Sequence, residues 1–82
     1  MEISTMEYNG KIVRFLKMPE NGLLIKSKDV YAALGLNECL SHVWLDLAEA
    51  VCVAGKNDDT NFAMWLNETF AEYESITLVR PQ

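Results

Sequence analysis

Three residues of this chain, Cys39, His42 and Cys52, are of the types that hold soft metals or act as nucleophiles. A structural zinc site takes four ligands, usually supplied as close pairs. Cys39 and His42, at i and i+3, share a face if that stretch is helical, but a fourth ligand and the second close pair are missing. A cysteine–histidine nucleophile fails in the same way. It needs a third group to orient the base and donors to stabilise the oxyanion, and no motif here supplies them. These residues therefore read as packing or surface positions. No catalytic residue, metal or cofactor is expected, and an enzyme is the least supported class.

The cysteines also bear on redox setting. Two are too few for a disulfide scaffold. On a single helix their 13-residue spacing would set the backbones about 20 Å apart, against the ~7 Å that a disulfide tolerates. Reduced thiols suit a cytoplasmic protein. No apolar run approaches the roughly 18–20 residues that span a bilayer. The N-terminus lacks the basic-then-apolar pattern of a signal peptide, so cytoplasmic placement is the expectation.

Charged side chains are the other source of chemistry. The net charge of −5 is unevenly spread along the 82 residues. Residues 1–30 hold Lys11, Arg14, Lys17, Lys26 and Lys28 and balance at +1, whereas residues 31–82 balance at −6. Phosphate-backbone binding draws on basic groups, so nucleic-acid contact would have to use the first thirty residues. Lys11, Arg14, Lys17, Lys26 and Lys28, with Tyr31 beside them, are the candidate nucleic-acid or partner contacts. The plainer account is a solvated sheet surface whose lysines discourage edge pairing. Glu38, Asp46, Glu49, Glu68 and Glu72 are the candidate acidic partner surface, with Asp58, Asp59 and Glu74 adding to the charge. Such a surface would steer a basic protein toward it. Its plainer account is an ordinary soluble helical exterior.

The elements that position these groups follow from local signals. A chain of this length has room for one domain, residues 1–82, hiding about 60–65% of its unfolded surface. Half the residues are apolar, with two Trp, three Phe and three Tyr, which argues for a packed core. Residues 2–8 alternate loosely, and Asn9-Gly10 is a strong two-residue hairpin signal because both positions tolerate positive φ. Lys11–Lys17 returns, with Val13 and Phe15 on one face and Ile12, Arg14 and Leu16 on the other. A face that mixes aliphatics with one arginine suggests cover by a helix or a partner. Met18–Gly22 is a second turn, and Leu23–Lys26 a third strand.

Ser27 is expected to cap a helix over Lys28–Leu34, with Asp29 in its first turn and Gly35 as a left-handed stop. Asn37 is expected to cap a second helix over Glu38–Val51. Its stripe would be Leu40, Trp44, Leu47, Ala48 and Val51. Cys52–Ala54 would fray or extend it, and Gly55–Asp59 would be a polar loop. A third helix from Asp59 or Thr60 to about Glu74 carries Phe62, Trp65, Leu66, Thr69 and Tyr73, with Phe70 beside them. Trp44 and Trp65 are expected in the core. Ser75–Arg80 is strand-like, a candidate to pair with the sheet or a second subunit. The expected fold is α+β, a small antiparallel sheet of the N-terminal hairpin plus a third strand, with the C-terminal strand as an addition, packed against three helices.

Three segments together carry a family likeness: Tyr8–Arg14 (YNGKIVR), Ser27–Leu36 (SKDVYAALGL) and Phe62–Leu66 (FAMWL). They resemble the N-terminal domain of the BRO family of phages and large DNA viruses, related in usage to KilA-N domains and phage antirepressors. The middle segment is the most specific, and the likeness spans about Tyr8–Glu74. It implies an α+β domain associated with DNA binding and transcriptional control. Two departures matter. The family's longer segment between the last two helices, which holds a further hairpin, is reduced here to about Cys52–Asn61. This chain is also more acidic than DNA-binding members.

The resulting expectation is a non-enzymatic phage or prophage regulator acting through protein contact, antirepressor-like, on a repressor or other DNA-binding regulator. The alternative is a transcriptional regulator that binds duplex DNA through the basic hairpin and first helix. No membrane is involved in either, and a homodimer is left open.

Overall fold

The computed structural model describes residues 3–18, 22–37 and 43–78, with side chains as far as residue 71. Among the described residues, four strands form one antiparallel sheet in the order β1 (Ile3–Tyr8), β2 (Lys11–Met18), β3 (Gly22–Lys26) and β4 (Trp44–Asp46). The helices are α1 (Ser27–Ala33), α2 (Leu47–Lys56) and α3 (Thr60–Leu78). The expected α+β class, with a sheet packed against three helices, is what the molecule shows.

The hairpin forms as the residues dictate. Asn9 and Gly10 take φ of 50° and 80°, the two left-handed positions that a twist-matched tight turn requires. Tyr8 then faces Lys11, Met6 faces Val13 and Ile3 faces Leu16, without a bulge. Because side chains alternate across a strand, the odd positions of β2 and β3 share one side. There Val13, Phe15, Leu23 and Ile25 are buried beneath α2 and α3, with Leu47, Ala50, Ala54, Phe62, Leu66 and Phe70. Aromatic rings close this core. Tyr8 lies 4.8 Å from Phe62 and 5.0 Å from Trp65, and Phe15 meets Phe70 edge-on at 5.0 Å. The first strand is thereby fastened to the last helix.

α1 begins one residue before its expected start. β3 runs through Lys26, which occupies the cap position without a side-chain capping bond, so Ser27 is the first helical residue rather than the cap. The Ser27 amide donates instead to the Val43 carbonyl at 3.0 Å, tying the helix start to the approach of β4. The helix stop is as expected. Gly35 has φ of 77°, the Leu36 amide donates to the Tyr31 carbonyl at 2.9 Å, and the Gly35 amide donates to Ala32 at 3.0 Å. This paired closure satisfies carbonyls that the helix end would otherwise leave open.

The expected second helix over Glu38–Val51 is corrected. Residues 38–42, including Leu40, Cys39 and His42, lie outside the described residues, and Trp44–Asp46 is a strand pairing with β3. The physical reason is twofold. Strand β3 has a free edge that β4 completes, and Asp46 ends that strand by capping α2. Its carboxylate accepts from the Glu49 amide at 2.8 Å while Glu49 accepts from the Asp46 amide at 3.1 Å. That reciprocal box starts a helix at Leu47. The true buried stripe is Leu47, Ala50 and Ala54, with Ala48 exposed. Trp44 leaves the core for the sheet, and the helix extends through Gly55 and Lys56 where a loop was expected. The premise that both cysteines share a helix also falls. Cys52 is a free, exposed thiol on α2.

The expected C-terminal strand is corrected as well, because α3 continues helically to Leu78. Asp59 caps this helix, accepting from the Phe62 amide at 3.0 Å. Residues 79–82 lie outside the described residues. No described helix is long and apolar enough to cross a membrane.

Candidate interaction face

The side of the sheet opposite α2 and α3 is built from the alternate strand positions. Register places Ile3, Leu16, Leu24 and Asp46 in one row across the four strands. Glu7 faces Ile12, Thr5 faces Arg14, and Lys26 faces Trp44. This surface is largely apolar. Ile3 is 58% and Ile12 54% exposed, while Leu16, Leu24 and Trp44 are half-buried. A one-sided antiparallel sheet needs apolar residues on one face only. Here β2 and β3 carry them on both.

Two cations border the apolar rows, and each has a partner within the molecule. Arg14 is bound to Asp29 of α1 by Nε to Oδ2 at 2.8 Å and Nη2 to Oδ1 at 2.9 Å, a two-pronged pair. The Arg14 backbone amide also donates to Oδ2 at 2.9 Å. Asp29 therefore continues the hydrogen-bond ladder where β3 turns into helix. Burial pushes the Asp29 carboxyl up, but the Arg14 side-chain and backbone hydrogen bonds, with the charges of Arg14 and Lys26, outweigh it and hold the group below the usual carboxylate range. The Asp29 hydrogen bond in turn raises the Arg14 guanidinium further. Lys26 Nζ lies 4.8 Å from the centroid of the Trp44 ring, a cation–π contact between directly opposed residues.

The six basic and aromatic candidates do not gather into one stripe. Arg14 and Lys26 share the open face. Lys11 and Lys17 alternate onto the other side of β2 at its two ends, and Lys11 Nζ donates to the Ala32 carbonyl at 3.3 Å, near the end of α1. Lys28 is exposed on α1, and Tyr31 there is half-buried. The acidic candidates are also dispersed. Asp46 and Glu49 are joined in the α2 capping box, and Glu68 is exposed on α3. Glu38 lies outside the described residues, as does the side chain of Glu72. No group of three His, Cys, Asp or Glu among the described residues could hold a metal ion.

Sequence reasoning missed Ile3, Leu24 and Trp44 as members of this surface. The signal was partly legible in the Ile12, Arg14 and Leu16 face of β2. Trp44 was hidden by its helix-like spacing to Leu47 and Val51. Comparison of the chain with protein-family models, with curated proteins and with solved structures finds no match in any of the three.

Proposed function

We propose that this chain is a non-enzymatic regulator of the phage or prophage type, antirepressor-like, that docks its open sheet face on a protein partner. The observation that carries this reading is the apolar surface of Ile3, Ile12, Leu16, Leu24 and Trp44 on the side away from α2 and α3. Exposed apolar patches rimmed by polar groups mark contact sites. The bordering cations, Arg14 and Lys26, are engaged with Asp29 and Trp44, which favours protein contact over phosphate binding. The excess of acid in residues 31–82 suits a basic partner, a repressor or another DNA-binding regulator, through long-range steering.

The experiment is a pull-down of a purified phage repressor by the parent chain and by an Ile12→Thr/Leu24→Thr variant, at rising salt. Threonine keeps strand preference while removing the apolar surface. Capture by the parent, weakening with salt and lost in the variant, is the expected result. A mobility shift on duplex DNA at low salt runs alongside, where electrostatic affinity is greatest. Retardation of DNA that the variant retains and a Lys17→Ala/Lys28→Ala variant loses would replace this reading with the DNA-binding one.

A further inference from the structure

The two edges of the sheet differ in a way that bears on self-association. β4 is three residues long, and short edges resist further pairing. β1 is six residues long and pairs with β2 along its whole length without a bulge. Its sequence, Ile-Ser-Thr-Met-Glu-Tyr, has neither proline nor lysine, and Glu7 is its one charge to set against edge pairing.

The direction in which β1 offers its backbone can be fixed. Antiparallel strands alternate between pairs that exchange hydrogen bonds and pairs that do not. The Arg14 amide donates to Asp29, so it points away from β1 and the Thr5–Arg14 pair is of the second kind. The amides and carbonyls of Ile3, Thr5 and Glu7 therefore point outward, along the free edge. Among the described elements, β1 is bonded to β2 alone.

We propose that two copies of this chain associate through their β1 edges, antiparallel about Thr5, to form one continuous sheet. In this register Thr5 faces Thr5 of the second copy, and Ile3 faces Glu7 in both directions. Each outward amide and carbonyl of the three residues finds its complement. The alternation leaves no like charges opposed, since each Glu7 meets an isoleucine, and threonine pairs are favourable across strands. Shifting the register to oppose the two glutamates would lose both features and leave other backbone groups unpaired. Ile3, more than half exposed in the single chain, is covered. The two open faces also join, with Leu16 and Ile3 of one copy running into Glu7 and Ile12 of the other. The association takes only Ile3 from the open face and leaves Ile12, Leu16, Leu24 and Trp44 accessible, so it stands independently of the regulatory reading.

Sedimentation equilibrium across a dilution series tests this. The parent is expected at twice its chain mass, dissociating on dilution. Thr5→Pro and Thr5→Lys are expected at the single-chain mass with unchanged far-ultraviolet circular dichroism. Neither removes a bond to β2, because the Thr5 amide points outward. The register is read separately in a Cys39→Ser/Cys52→Ser background. There Thr5→Cys should give a covalent dimer on oxidation with diamide, while Ile3→Cys should stay monomeric under denaturing conditions. A parent that is monomeric throughout the series, or a folded Thr5→Lys that still dimerises, would overturn the proposal. Cross-linking through Ile3→Cys but not Thr5→Cys would overturn the register.

Discussion

Arg14 and Asp29 are joined by three hydrogen bonds, two from the guanidinium and one from the Arg14 backbone amide, all to a single carboxylate. The carboxylate is nearly buried while the guanidinium is about two-fifths exposed. The contact thus works more as a junction between strand and helix than as a surface ion pair. Asp29→Asn keeps one acceptor oxygen but turns the other into an N–H donor facing the Arg14 donors and removes the charge, so it should lower stability by about 1–3 kcal/mol, read from urea unfolding. The folded pKa of Asp29 lies below its unfolded value of about 3.9. Its contribution is therefore fully present above pH ~4 and is lost as pH falls through the depressed folded value. Melts at successive pH values should show the parent losing stability in that acid window and Asp29→Asn losing less. Parallel acid profiles would count against the assignment.

The glycines Gly35 and Gly55 should respond to alanine with opposite signs. Neither has any atom within 4 Å of an added Cβ, so the backbone alone decides. At Gly35, with φ of 77°, alanine should cost about 1–2 kcal/mol. Gly55 lies within α2, where alanine should stabilise by about 0.5–1 kcal/mol. Thermal denaturation of the two variants is the measurement.

Asp46 ends a strand and starts a helix. Asp46→Ala should cost about 0.5–2 kcal/mol and free the amide of Glu49, which it now holds at 2.8 Å. Hydrogen exchange should accelerate at that amide before it does so within α3.

Phe62 is fully buried and touches both Tyr8 and Trp65. Phe62→Ala should cost about 3–5 kcal/mol, and it should loosen β1 as well as α3. Denaturant midpoints give the first effect, and exchange protection along β1 gives the second. A loss confined to α3 would show that the aromatic cluster does not couple the chain's two ends.

The hairpin, the third strand, α1 and the Phe62–Leu66 part of the α3 stripe were readable because their signals are local, whereas Phe70, expected only beside that stripe, is fully buried and Thr69 is not. Asn9-Gly10, the alternation of Val13 and Phe15, Gly35 and the Phe62–Leu66 spacing need no knowledge of what lies across the sheet. β4 was not readable in that way. Trp44, Leu47 and Val51 satisfy a helical period, and only the vacant edge of β3 draws Trp44–Asp46 into strand. The Asp46–Glu49 capping box was the one local clue to the boundary. Ile76-Thr77-Leu78-Val79 is strand-like in composition, yet the helix that α3 has already nucleated continues through Leu78. The interaction face was half-legible, since alternation disclosed Ile12 and Leu16 but the register that sets Leu24 beside Leu16 is a tertiary fact.

The two tryptophans stand on opposite sides of the sheet, Trp65 among the rings of Tyr8, Phe62 and Phe70 and Trp44 beneath the Lys26 ammonium. The molecule consequently carries a separate optical label for each side. With Trp44→Phe, the remaining emission follows the closing of the interior. With Trp65→Phe, it follows the outer surface and shifts whenever something covers that surface, so folding and docking can be watched as distinct signals in one chain.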